Sequence, residues 1–171
     1  MKFKKFKYKK VRSTNTTAIK IIKKTNFSFG MVTSEMQVNG RGQYGRKWIS
    51  YKGNLFVSFF KELRGKNISL EKITKINCFL VKKCISKYTN KKIYYKKPND
   101  LLIENKKISG ILQEVVSKSH KKFLVTGIGI NISKSPIIKN NPTTNLKDLT
   151  KKSISKSKVE NTLKRIFEKN Y

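Results

Sequence analysis

A chain of 171 residues suffices for one domain with a true core and falls short of two generous ones. With 37% hydrophobic and 29% charged residues it has a globular balance, which excludes a disordered chain, and no apolar stretch nears the ~20 residues that span a bilayer. The formal net charge of +32 draws polyanions of every sort. The lysines nevertheless run from end to end among many Asn and Ile residues, the pattern of an A+T-rich coding sequence.

Taken in chain order, residues 3–11 alternate loosely (Phe3, Phe6, Tyr8, Val11) and read as a strand. The start is basic but no apolar run follows, so no signal peptide is expected. Ser13 is a good N-cap for a helix with Ala18, Ile19, Ile21 and Ile22 on its apolar face. Residues 27–35 read as a strand entering a glycine-rich loop, Met36–Lys47, and Asn54–Lys61 as a buried strand. Leu70–Tyr88 is the clearest helix, with Leu70, Ile73, Leu80, Val81, Cys84, Ile85 and Tyr88 on one stripe. Cys78 and Cys84 face apart on it, too far for a local bridge, and read as reduced thiols of a cytoplasmic protein.

Residues 92–96, 101–103, 107–117 and 121–132 follow as strands joined by turns at Pro98–Asp100 and Glu104–Asn105. His120 is the lone histidine and reads as a turn residue; no Cys/His cluster exists for zinc. Residues 133–147 are rich in Asn, Thr, Ser and Pro, and a short basic helix carrying Val159, Leu163, Ile166 and Phe167 ends the chain. Many strands and few helices point to an α+β domain with a mixed, mostly antiparallel sheet.

Three segments carry chemistry. Glu35–Trp48 (EMQVNGRGQYGRKW) holds three of the nine glycines alternating with Arg41 and Arg46, two of only five arginines; the others are Arg12, Arg64 and Arg165. Closely spaced glycines let a backbone turn its N–H groups on anionic oxygen, and guanidinium forks suit carboxylate or phosphate. Trp48, the single tryptophan, could wall such a site. The spacing is neither a Rossmann nor a P-loop fingerprint. Lys96–Gln113 contains Asp100, one of two aspartates, then Lys107 and Gly110, which could face one cavity; the residues alone equally allow a plain turn at Pro98–Asp100 and a surface lysine at Lys107. Thr126–Ile132 (TGIGINI) puts two glycines in an apolar strand before Asn131, whose amide suits a purine or ribose edge.

Together these segments resemble the biotin–protein ligases. The family pattern runs through Ser13-Thr14-Asn15, Gln37 to Trp48, Lys96 to Glu114 and Gly127 to Asn131, in order and spacing over about 120 residues. The resemblance implies the class II aminoacyl-tRNA-synthetase-like biotin/lipoate ligase fold, with its helices on one side of the sheet. It implies a catalytic domain over 1–132, and a basic extension over 133–171 without a C-terminal β-barrel. Ser13, Thr14, Asn15 and Gln37 would hold biotin, joined by Arg41, Gly42, Gln43, Lys107 and Gly110. Arg46, Trp48, Lys96, Asn99, Asp100 and Asn131 would surround ATP. Lys107, Arg41 and Asp100 would carry catalysis, with Mg²⁺ bound mainly through the nucleotide rather than by the protein.

The implied partner is the biotin carboxyl carrier protein of acetyl-CoA carboxylase or another biotin-dependent carboxylase. A homodimer is left open, and neither specific DNA nor a membrane is expected. Three departures stand out: Gln43 and Tyr44 where many members carry further basic residues, Lys97 in place of an aromatic residue, and the absence of the β-barrel. A helix-turn-helix is not expected ahead of Ser13. A ligase for lipoate or another acyl acid, and a basic nucleic-acid-binding module, are the alternatives.

Overall fold

The computed structural model describes residues 2–63 and 69–171; Arg64 lies outside them. Seven strands form one sheet in the order β1-β2-β5-β9-β8-β7-β6. They are β1 (Lys4–Val11), β2 (Phe29–Gln37), β5 (Leu55–Leu63), β6 (Tyr94–Lys96), β7 (Asp100–Ile103), β8 (Lys106–Lys118) and β9 (Lys121–Ile130). Only β1 and β2 run parallel; every other pairing is antiparallel. The parallel pair is bridged by α1 (Thr14–Lys24), as a crossover connection requires. The mixed, mostly antiparallel sheet is as expected. Within the expected glycine loop a small hairpin forms, β3 (Gly40–Arg41) with β4 (Lys47–Trp48).

The helices do not share one side, and that part of the expectation is corrected. β5 is buried throughout Leu55–Phe60, so both its faces need cover. Leu55, Val57 and Phe59 pack with α2 (Leu70–Ile85) and α4 (Lys156–Asn170), whereas Phe60 packs with Ala18 and Ile22 of α1. Period-two alternation therefore assigns α2 and α4 to one face and α1 to the other. α2 was legible from its apolar stripe; in the structure Ser69 caps Lys72 N–H and the helix closes at Ile85, three residues before the expected Tyr88.

The tail joins the same core. Leu146 of α3 (Leu146–Thr150), and Val159, Leu163, Ile166 and Phe167 of α4, are buried in it. Phe167 stacks on Phe59, ring centroids 4.3 Å apart and planes 8° from parallel. His120 sits in the β8–β9 turn and both cysteines are free and buried. Among the described residues no helix is long and apolar enough to cross a membrane.

Candidate active site

On the α1 face, α1 covers β2, β5 and β9 but leaves the adjoining stretch of β8 and β9 open. A cavity of about 390 Å³ lies there. Its floor is bare because three glycines point into it. A Cβ at Gly129 would collide with the Trp48 indole, and one at Gly110 would stand 2.8 Å from Trp48 Cζ3 and 3.3 Å from Lys107 Nζ. A Cβ at Gly127 would collide with the Asn15 amide. Strand glycines have a packing reason only when something must come this close.

Four elements wall the floor. Ser13, Thr14 and Asn15 begin α1. Ser13 occupies the N-cap with extended backbone, yet its hydroxyl makes no cap bond. Gln37, ending β2, accepts from Thr14 N–H at 2.8 Å and from the Thr14 hydroxyl at 3.1 Å, and donates to Ser50 at 3.2 Å. Ser58 Oγ lies 2.8 Å from Thr14 Oγ1 and donates to Asn15 Oδ1 at 2.5 Å.

The β3–β4 flap, with Arg41, Gly42, Gln43, Arg46 and Trp48, forms the roof. A short turn over Gln43–Gly45 connects its strands, and Gly45 takes φ 72° there. Arg41 Nη2 meets Glu114 Oε2 at 2.6 Å. Trp48 Nε1 is buried and has no hydrogen-bond partner among the described residues. That is a donor in need of an acceptor.

Lys96, Asn99 and Asp100 line the third side. Asn99 clamps this turn to β8, donating to Ile111 O at 2.7 Å and accepting from Ile111 N–H at 3.0 Å. Tyr95 donates to Pro98 O at 2.5 Å; burial, then the nearby Cys78 and Glu71, push its phenol above the ordinary value. Lys107 Nζ pairs with Asp100 Oδ1 at 2.7 Å and stands 5.5 Å from the Trp48 ring centroid.

The tail supplies the fourth side, through Pro136, Ile138, Asn141 and Thr143. Lys107 N–H donates to Pro142 O at 2.8 Å, and Lys107 O accepts from Thr144 N–H at 2.9 Å. Asn131 donates to Thr144 O at 3.1 Å and lies 3.5 Å from Asn54 Nδ2, so its amide binds the tail to the sheet.

Every site residue expected from the sequence lines this one cavity. Ser58, Glu114 and the four tail residues were not assigned roles. Ser58 had a signal, a lone hydroxyl inside the apolar run NLFVSFFK; the tail had none, since only the fold brings it to Lys107. The cavity carries Arg41, Arg46, Lys47, Lys96, Lys97 and Lys107 against the single acid Asp100, among the described residues. Such an enclosure favours carboxylate and phosphate.

The Biotin/lipoate A/B protein ligase family profile matches residues 8–131. The chain belongs to this family. The ligase family includes the bifunctional ligase/repressor BirA of Escherichia coli (strain K12), 32% identical over 102 residues, 58% of this chain and 32% of that protein. BirA of Bacillus spizizenii is 29% identical over 170 residues, 94% of this chain and 51% of that protein. The chain thus spans about a third to a half of these curated relatives. Among solved ligase structures, the biotin protein ligase from Aquifex aeolicus in complex with biotin and ATP superimposes with a TM-score of 0.81 at 30% identity. That match covers 98% of this chain and 69% of the other.

Proposed function

We propose that the chain joins biotin to ATP as biotinyl-5'-AMP and passes the biotinyl group to a lysine of a biotin carboxyl carrier protein in the cytoplasm. The observation that carries this reading is the convergence of Lys107, Arg41 and Arg46 on one glycine-floored cavity roofed by Trp48. Family membership supports it, and so does the likeness to a ligase solved with biotin and ATP.

In the first step a biotin carboxylate oxygen attacks the α-phosphorus of ATP and pyrophosphate leaves. The substrate is its own nucleophile, so the protein's task is to gather and neutralise charge. Lys107 and the flap arginines line the cavity and would neutralise the negative charge that grows on the phosphate oxygens. Thr14 and Gln37, already bonded to each other, offer a hydroxyl and an amide to the ureido ring. The Trp48 indole lies directly against the side-chain-free Gly110 and Gly129, which fixes it as one wall of the cavity, and its buried Nε1 offers a donor.

In the second step the acceptor amine attacks the acyl carbon, AMP leaves, and the amine proton passes to solvent. Asp100 is paired with Lys107 at 2.7 Å, which suits orienting the ammonium rather than taking a proton. Mg²⁺ fits as a passenger on the triphosphate, where it would neutralise phosphate charge. No group of three or more His, Cys, Asp or Glu side chains converges among the described residues, and Asp100 is already engaged.

The test is biotin-dependent exchange of labelled pyrophosphate into ATP, with lipoate offered in parallel. Exchange with biotin alone supports the reading; exchange with lipoate alone, or with neither acid, ends it. Adding a carrier domain then tests transfer, and sedimentation at several concentrations tests pairing of two copies.

A further inference from the structure

Glu114 does not line the cavity; it lies behind two residues that do, Arg41 and Asn15. One carboxylate oxygen, Oε2, accepts from Arg41 Nη2 at 2.6 Å and from Asn15 Nδ2 at 2.7 Å. The Asn15 amide has no freedom to turn away. Its Oδ1 accepts from Ser58 at 2.5 Å, its Nδ2 also reaches Leu112 O at 3.4 Å, and only the missing side chain of Gly127 leaves it room. Asn15, Ser58 and Gly127 therefore form a rigid, buried base that aims a donor at Glu114.

Arg41, by contrast, belongs to a flap whose two strands are two residues each, paired only with one another. So short a hairpin has almost no stability of its own. Its entry is tied to the domain by Gln37 on Thr14 and by the Val38 and Asn39 N–H groups on Val11 O and Arg12 O, and its second strand by Trp48 against Gly110 and Gly129. The first strand is held through Arg41 on Glu114 of β8, whose Oε2 also accepts from Asn15 in the first turn of α1.

We infer that Glu114 is a positioning residue that latches the Arg41 flap over the cavity through the Asn15–Ser58 base. The inference rests on the reading of the cavity as the biotin–ATP site, but its main readout needs no substrate. With the latch intact, Arg41 is parked beside the cavity with its guanidinium already ordered. A substrate anion then recruits a preorganised arginine instead of ordering a free loop, which lowers the cost of binding. The pair is partly exposed, 39% for the Arg41 side chain and 24% for Glu114, so the latch is releasable.

The test compares wild type with Glu114→Ala, Arg41→Gln and the double variant, all without ligand. The readouts are hydrogen exchange of residues 38–49 and acrylamide quenching of Trp48, the sole tryptophan. Either single change is expected to speed exchange across the flap about tenfold while β5 and β9 keep their protection. The double variant should add nothing further, because both changes break one contact. If exchange in residues 38–49 stays at the wild-type rate, or the two changes add, the latch is overturned. Should Glu114→Ala fail to fold, Arg41→Gln tests the same contact from its exposed end. In pyrophosphate exchange, Glu114→Ala is expected to raise the biotin KM about tenfold and leave kcat within about twofold. A fall in kcat at unchanged KM would count against it. If wild type shows no biotin-dependent exchange, the proposed function fails, while the ligand-free measurements still decide the latch.

Discussion

Lys107 sits where β8, the Asp100 turn and the indole of Trp48 meet, and each neighbour limits what its ammonium can do. Asp100 keeps it directed into the cavity, and the Trp48 ring gives it a second attractive surface at 5.5 Å. Lys107→Ala removes the cation and leaves Asp100 as an unpaired acid among phosphates. We expect biotinyl-AMP formation to fall about 10²- to 10³-fold, measured by pyrophosphate exchange at saturating biotin. The glycines argue in the opposite direction, since there adding an atom does the damage. In Gly129→Ala the new methyl would displace the indole. A shifted Trp48 emission and a raised ATP KM are expected, with overall stability little changed because the roof, not the core, must move. These positions were legible because glycine in an apolar strand is costly without a reason. Glu114 was quoted only as part of a pattern, since its partners, Arg41 and Asn15, are 73 and 99 positions away in sequence.

At the scale of elements, α4 has a larger part than its basic composition suggested. A helix read as a short closing extension buries one face of the main core, with Phe167 flat against Phe59 and the Tyr171 hydroxyl donating to Asn77 at 3.0 Å. Phe167→Ala is expected to cost about 3–5 kcal/mol in urea unfolding, the usual loss for an aromatic removed from a closed core. A loss under about 1 kcal/mol would mean the helix packs loosely. Helix and strand periods carried most of the fold from sequence, including the buried middle of α2's apolar stripe, although Leu70 is exposed and the helix stops at Ile85 rather than at Tyr88. Which face each helix covers was not available, because amphipathicity says that a stripe is buried and not against what. The hairpin inside the glycine segment escaped notice for a related reason: two-residue strands are too short to show alternation.

For the whole molecule, the charge and the buried thiols set different limits. A net +32 repels itself, so the melting temperature should rise as NaCl goes from about 10 to 150 mM at pH 7, as screening shortens the reach of that repulsion. A flat or falling profile would show that local pairing had already neutralised it. Alkaline pH acts through burial. Desolvation pushes Cys78 and Cys84 from 9.0 up to about 12, and Tyr171 from 10.0 to about 12. The folded state thus favours the neutral forms. Their contribution is complete below pH 9, where the unfolded groups are also neutral, and is lost as pH climbs toward 12. Unfolding free energy should decline over that window, and the thiols should resist labelling in the native protein at pH 8.

The backbone of Lys107 is held on both sides by the tail, through Pro142 and Thr144. A minimal fragment cut at residue 132, where the recognisable motifs stop, would keep every arginine and glycine of the pocket. It would nonetheless lose the brace that gives the ammonium its address. Engineering a smaller version of this domain therefore has to carry along a stretch of Asn, Thr and Pro whose part is to brace rather than to react.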